Sequence, residues 1–458
     1  MKTNLKCKIL TCLIFFLISR NGYSQPSQIT WNLTSSWVIG QSWLPSPGYY
    51  PDGHISMVQS GSDFIGFWSE FNNSRTVANS SYLGTHSNNG VTPSYPVFGG
   101  RKNDDGSGSG VTSWANGGAW LMGVHRIPDG RLVGFYHAES HWYPRTDPAN
   151  GGTAYKTMAV AYSSNEGVSW GTGENYQFLT PPYSKPQIPY WSGDGDACVV
   201  RDDANNRWLC YYVAVQFVNG APKPNESPMI CVASSSDANG WVGTWKKWDG
   251  SGFNKAGLGG IDTPISSLSG VPGANPSVHW NTYLNRWVMV WHSWGGDIYI
   301  STSNNGTVWS MPQLIIDEGS TKLYYPTIIG TTDELGGNSV KLYYGAETNV
   351  PYGGCRDFKC RGLDFTGIMG KVLTNVDIMR TNPVRLYPNP AKDMVTLSMP
   401  QKADANMEIF DMTGKVAMKA TISQTNLYKF SVSTFKSGTY NVIIKIGIKS
   451  YQIKLIVE

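Results

Sequence analysis

The chain has 458 residues, a formal net charge of +4 and only 15% charged side chains, with 51 Gly, 25 Tyr and 18 Trp. That profile suits turn-rich β structure with aromatic surfaces and excludes helical bundles and disorder. The charge is not gathered into a basic run in the central region, which excludes a nucleic-acid-binding surface, and the length predicts two or three domains.

The first 24 residues, "MKTNLKCKILTCLIFFLISRNGYS", carry Lys2, Lys6 and Lys8, an apolar run from Ile9 to Ile18, and small residues at Gly22 and Ser24. This is the pattern of a secretory signal peptide, with cleavage expected before Gln25. No later stretch reaches the roughly 18 apolar residues of a spanning helix, so no transmembrane segment is expected. Export permits disulfides. Cys355 and Cys360 in "GGCRDFKCRG" are the best-placed pair, while Cys198 and Cys210 flank a hairpin turn with Cys231 as a competing partner. No Cys/His spacing resembles a zinc site and no motif requires a cofactor; the pattern leaves room for a structural or channel cation.

Between residues 25 and 380 one unit recurs: an apolar strand, a tight polar turn, and a second apolar strand rich in aromatics. Its copies are "HISMVQSGSDFIGFWSEF", "WLMGVHRIPDGRLVGFYHAE", "DACVVRDDANNRWLCYYVAV", "NPSVHWNTYLNRWVMVWHSW" and "YYPTIIGTTDELGGNSVKLYYGAE". The turns SGSD, PDG, DDANN, NTYLN and DELGGN hold residues that accept hairpin conformations. Five such hairpins, with further strands between them, predict the blades of a β-propeller. Residues 384–458 differ: they lack Trp, are rich in Lys, and alternate apolar and polar residues in "MVTLSMP" and "SGTYNVIIKIG". The predicted fold is all-β, a five-bladed β-propeller followed by a small C-terminal β-sandwich.

In an up-and-down blade the first strand starts, and the second ends, at the face where ligands bind around the central channel. First hairpin turns lie on the opposite face, which assigns Asp129, Asp202, Asp203 and Asp333 to the far side as turn formers. The candidates at the mouth are then Asp52 and His54 opening blade one, Asp194 and Asp196 opening blade three, Asn275, Ser277 and His279 in blade four, and Tyr325 in blade five. Period-two alternation predicts that Asp194 and Asp196 share a face; His279 reads first as a satisfied core histidine and second as a mouth residue. Second strands end in Glu70, Glu139 and Glu347, and in His292 and Trp294 of "WHSW". The stretch "GFYHAESHWYPR" adds His137, His141, Trp142, Tyr143 and Arg145, and its second half has no counterpart in the other blades.

Glycosidic cleavage needs one carboxylic acid to protonate the leaving oxygen and one carboxylate to activate water or attack directly. Crowded carboxylates push one another's proton affinities apart and so supply both. Asp52, Glu139, Asp194 and Asp196 are the catalytic candidates. His54, Glu70, His137, His141, Trp142, Tyr143, Arg145, Trp191, His279, Trp294, Tyr325 and Glu347 are the substrate-binding candidates, the aromatic ones able to stack on sugar faces.

Three resemblances bear on this reading. Ser163, Asn165, Gly167 and Trp170 in "SSNEGVSW", and Thr302, Asn304, Gly306 and Trp309 in "TSNNGTVW", resemble the Asp-box turn of sialidases and other propellers; "SSSDANGWVGTW", Ser234 to Trp245, is a looser relative. The resemblance implies structural turns whose Trp packs between blades. The mouth resembles that of five-bladed glycoside hydrolases of the arabinanase and β-xylosidase clan, and more loosely that of sialidases. This implies Asp52 as general base, Asp194 or Asp196 as the acid that tunes and orients, and Glu139 as proton donor, although the order of Glu and Asp departs from the clan's pattern. Finally, "VRLYPNPAKDMVTL", "DMTGKV" and "SGTYNVII" resemble the C-terminal sorting domain of type IX secretion cargo, which implies passage across the outer membrane and secretion or surface attachment. The expected function is that of a secreted carbohydrate-active enzyme, a glycoside hydrolase acting on polysaccharide or oligosaccharide. A polysaccharide lyase centred on His137, His141, Tyr143 and Arg145, and a lectin-like binding propeller, are the alternatives.

Overall fold

In a computed structural model the described residues are 26–38, 51–61, 63–69, 73–78, 113–115, 117–140, 154–171, 176–186, 191–218, 221–222, 228–268, 271, 273–293, 296–347, 356–368, 384–411, 415–447 and 449–458. The signal peptide, Glu70, His141, Trp142, Tyr143, Arg145, Trp294 and Cys355 lie outside them.

Five antiparallel units follow one another along the chain. Blade one is Ser56–Ser60, Asp63–Ser69 and Asn73–Ala78. Blade two is Gly118–Arg126, Leu132–Ser140, Tyr155–Ser163 and Gln177–Leu179. Blade three is Ser192–Asp202, Arg207–Val215, Met229–Ser235 and Lys246–Trp248, and blade four is Ala274–Asn281, Arg286–His292, Ile298–Ser303 and Gln313–Ile316. Blade five holds Leu323–Ile329, Ser339–Glu347 and Arg356–Ile368, and takes its outer strand, Ile29–Leu33, from the start of the chain. The second strand of each unit is buried on both faces, which is why the aromatic-rich runs read as continuous apolar segments rather than alternating ones.

Side chains on the innermost strands bind the next blade's backbone. Ser56 Oγ accepts from the Val124 N–H at 3.1 Å, Cys198 Sγ from Val278 at 3.3 Å, Ser277 Oγ from Ile328 at 3.2 Å, and Thr327 Oγ1 from Ile55 at 3.3 Å. The junction between blades two and three is made differently, by parallel pairing of Tyr155 and Lys156 with Ser192 and Gly193. These contacts run from blade one through blade five and back to blade one, with blades two and three joined into a single sheet, and the five units make up the five-bladed propeller.

The channel's far end is stoppered from blade five. In the loop of residues 330–338, Asp333 reaches His54 Nε2 at 2.9 Å and the Met57 N–H at 2.7 Å, both in blade one. Glu334 lies 2.9 Å from His125 Nδ1 of blade two and accepts from the Arg201 N–H of blade three at 2.8 Å, while its carbonyl accepts from Trp280 of blade four. Asp333 is thus more than the turn former expected from its position. Asp129 and Asp202 do act in turns, bonded to Arg131 and Arg207.

The box turns also work between blades. Ser163 Oγ accepts from the Gly167 N–H, Asn165 Oδ1 from the Ser169 N–H, and Trp170 donates to the Gly167 carbonyl. Gly167 has φ +77°, and a Cβ there would stand 2.4 Å from the Phe67 ring of the preceding blade, so only glycine fits. Asp237 with Gly240 and Trp245, and Trp309 with Gly306, repeat the arrangement. In the second box the bonding residues are Ser303 and Asn305, one position after the expected Thr302 and Asn304. The bonding pair stands one residue closer to Gly306 and Trp309 than the box spacing places it, so this turn is one residue tighter than the first.

The expected Cys198–Cys210 disulfide is not formed; Cys198, Cys210, Cys231 and Cys360 are free and buried. Cys198 stands opposite Tyr211 and Cys210 opposite Val199, a one-residue offset that sends the two thiols to opposite faces of the blade. Cys210 and Cys231 share a face but stand opposite Val199 and Tyr212 and stay unbonded. Non-reducing denaturation should therefore expose thiols at Cys198, Cys210 and Cys231 that do not react in the native protein. Labelling with a thiol reagent before and after unfolding, followed by peptide mapping, checks this; a bridged peptide among the three would contradict it.

The C-terminal strands have a core of their own. Met394–Asp411 pairs with Val416–Ser431 on one side and, through its second half, with Gly438–Ile446 on the other. Its register shifts between Ser398 and Ala403, where the long strand bends. Val395, Leu397, Met399, Ala405, Met407 and Ile409 alternate inward around that bend, so a period-two pattern builds a small sandwich.

Candidate functional site

At the start of the first strand, blades three, four and five share one backbone device. Asp196, Asn275 and Tyr325 have φ of 47°, 50° and 51°, and each lies where the register of its strand slips by one residue. A residue in the left-handed region inside a bulge re-aims its side chain and breaks alternation. Here it does so at the mouth of the channel. Each was a mouth candidate from sequence; the bulge was not foreseen.

The bulge overturns the expectation that Asp194 and Asp196 share a face. Asp194 is fully buried and bonds to Lys247 Nζ at 2.8 Å, with Asp262 on the same ammonium at 2.6 Å and the Tyr212 hydroxyl donating to Asp262 at 2.7 Å. Lys247 also donates to the carbonyls of Thr180 and Gly260. Burial opposes its charge, but Asp194 and Asp262 raise Lys247 above its ordinary value. Burial, then the Asp262 carboxylate, push Asp194 up to about 7. Two carboxylates around one cation leave one negative charge too many for a closed site, which is why burial and Asp262 together raise the proton affinity of Asp194. Asp194 belongs to this sealed cluster beneath the mouth.

Asp196 points the other way. Its carboxylate bonds to Lys156 Nζ, and its N–H donates to His137 Nδ1 at 3.1 Å. The bond to Nδ1 puts the imidazole proton on Nε2, which lies 3.5 Å from Glu139 Oε1, while Asp196 Oδ1 lies 3.5 Å from Nδ1. Burial disfavours the Asp196 anion, yet Lys156 and His137 hold it below the usual carboxylate range. Trp120 lies against His137 with centroids 5.1 Å apart, and Lys156 Nζ sits 5.0 Å from the centre of the Trp191 ring, which is 39% exposed. One imidazole, two carboxylates and an ammonium thus meet at the edge of the channel beside an open indole.

Lys156 was missed from sequence because it sits on the third strand of its blade, which an isolated blade would hold away from the channel. The parallel pairing with Gly193 brings it in. A lysine inside the apolar run "AYKTMAVAYS" was the available signal. Gly193, with φ +89°, permits that approach; a Cβ would stand 2.1 Å from the Lys156 carbonyl oxygen.

The remaining candidates divide. Asp52 is half-buried at the opening of blade one, its N–H donating to the Ser69 carbonyl at 2.6 Å. His292 bonds to Asn275 Oδ1 at 2.7 Å and packs beside Tyr324 and Tyr325 at the blade five side of the mouth. Glu347 is on the rim, 37% exposed in its side chain and 3.9 Å from Lys322 Nζ. His54 is not a mouth residue: it is buried against Asp333, and although burial opposes its charge, Cys198 and Asp333 hold it up to about 10. His279 has no exposed surface and burial pulls it down to about 3, so it is a neutral core histidine beside Gly336 and Phe365. Arg126 is bound to Glu166 on the far side.

Residues 385–458 match the secretion system C-terminal sorting domain. The protein is therefore cargo for secretion or attachment at the cell surface, and among the described residues no helix is long and apolar enough to cross a membrane. No curated protein matches the chain. Among solved structures it is similar to the catalytic domain of an α-L-arabinofuranosidase from Coprinopsis cinerea, with 12% identity over 74% of this chain and 98% of that one and a TM-score of 0.42. It is also similar to an exo-inulinase from Aspergillus awamori, with 12% identity over 95% and 94% of the chains and a TM-score of 0.42. An exo-β-1,3-galactanase from Phanerochaete chrysosporium has 9% identity over 92% and 99%, with a TM-score of 0.40.

Proposed function

We propose that the propeller is a glycoside hydrolase acting on extracellular polysaccharide or its oligomers, with the channel mouth as its active site. One observation carries the reading: His137 has Glu139 near one ring nitrogen and Asp196 near the other, each at 3.5 Å. Two carboxylates thus share one imidazole, close enough for the Glu139 charge to act on Asp196, the crowding that pushes carboxylate proton affinities apart. Glu139, whose side chain is 6% exposed against 14% for Asp196, donates a proton to the departing oxygen. Asp52, entering the same mouth from blade one, activates water. Asp196, kept ionised by Lys156, faces the positive charge that develops on the sugar and orients Glu139 through His137. Trp191, Tyr324 and Tyr325 offer ring faces for the C–H faces of sugars. Export agrees with a substrate outside the cell.

The test is incubation of the full-length protein with a panel of neutral and acidic polysaccharides, following reducing ends and the ultraviolet absorbance of unsaturated uronates. Hydrolysis gives new reducing ends without absorbance. Both signals together indicate a lyase, and retention on immobilised glycan with neither signal indicates a lectin; each of these outcomes overturns the proposal.

A further inference from the structure

At the seam between blades two and three, on the face opposite the mouth, lies a cavity of about 600 Å³ lined by Arg131, Tyr162, Ser164, Tyr176, Asp237 and Trp241, among others. We infer that it is a second glycan-binding site, one that holds a neutral sugar chain and takes no part in bond cleavage. Its volume is that of a small-ligand site. Its walls are aromatic: Trp241 is 40% exposed, and the Tyr162 and Tyr176 rings lie 5.5 and 5.3 Å from it. A large aromatic left open to solvent and buttressed by two more is the surface on which the C–H face of a sugar ring stacks.

The cradle is preorganised by the box turns. The Trp241 N–H and the Asn239 N–H both donate to Asp237 Oδ1 at 2.9 Å, and the Tyr162 hydroxyl donates to the Asn239 carbonyl at 3.0 Å, tying blade two to blade three. Fixed walls lower the ordering cost of binding. Polar groups for hydroxyls surround the rings. The Arg131 guanidinium lies 4.9 Å from the centre of the Tyr162 ring and is already bonded to Asp129 at 2.7 and 2.9 Å. With Arg131 balanced by Asp129, Asp237 leaves the cavity net negative. That selects against uronates and sulfated sugars and favours neutral chains. Because the propeller's mouth is at the other face, the inference does not rest on the reaction assigned there.

The experiment is native affinity electrophoresis of the full-length protein through gels holding arabinan, arabinoxylan, arabinogalactan or β-glucan, with polygalacturonate as the acidic probe. Retardation by at least one neutral polysaccharide is expected. Trp241→Ala should weaken it tenfold or more with an unchanged unfolding midpoint, and Ser164→Arg, which fills the cavity from an exposed turn position, should do the same. Glu139→Gln should leave it intact. No retardation by any neutral probe, retardation unaffected by Trp241→Ala and Ser164→Arg, loss on Glu139→Gln alone, or cavity-dependent retardation by polygalacturonate would each overturn the inference.

Discussion

Glu139→Gln is expected to lower turnover of a glycan substrate by about 10²- to 10⁴-fold, the usual worth of a positioned proton donor. The amide keeps the shape of the side chain and its place opposite Gly118, so the fold should survive. The loss should shrink on aryl glycosides whose leaving group departs without a proton, because only protonation has been removed. Asp52→Asn should lose as much on every substrate, since water activation is needed whatever leaves. Asp203→Asn, in an exposed far-face turn, should behave as the parent. Full activity in both mouth variants would remove Glu139 and Asp52 from the mechanism. An equal loss for Glu139→Gln on good and poor leaving groups would rule out the donor role.

The largest stability effect is expected beneath the mouth. Lys247 has no exposed side-chain surface and holds Asp194 and Asp262. Lys247→Ala leaves two buried carboxylates without their cation, and removing one partner of such a cluster costs roughly 3–5 kcal/mol. Replacing Asp194, Lys247 and Asp262 together with apolar residues of similar volume should cost much less, because no stranded charge remains. All 18 tryptophans precede residue 384, so tryptophan fluorescence during urea unfolding reports on the propeller alone. A Lys247→Ala midpoint close to that of the parent would mean that the cluster is hydrated or its charges are compensated elsewhere.

What the amino-acid sequence determined by itself is local. Strand runs, the turns PDG and DDANN, the glycine and tryptophan of each box, and the alternating C-terminal strands depend on residues close along the chain, where hairpin chemistry and period two apply. Placing Glu139 at the end of a second strand, Asp52 before a first strand and Asp196 near the start of one follows from the same rules and required no knowledge of how blades meet.

What only the tertiary structure decided is where one blade touches another. Alternation placed Asp194 and Asp196 together, but a left-handed residue in a bulge sends one to Lys247 and the other to Lys156. Lys156 enters the site through pairing with Gly193, 37 residues away. His54, next to the mouth in sequence, is drawn into the channel by Asp333, 279 positions later. The thiols of Cys198 and Cys210 are separated by a register that no spacing reveals. In each case the deciding energy is a buried charge or polar group finding its partner, and such partners are fixed by the closing of the ring rather than by neighbours along the chain.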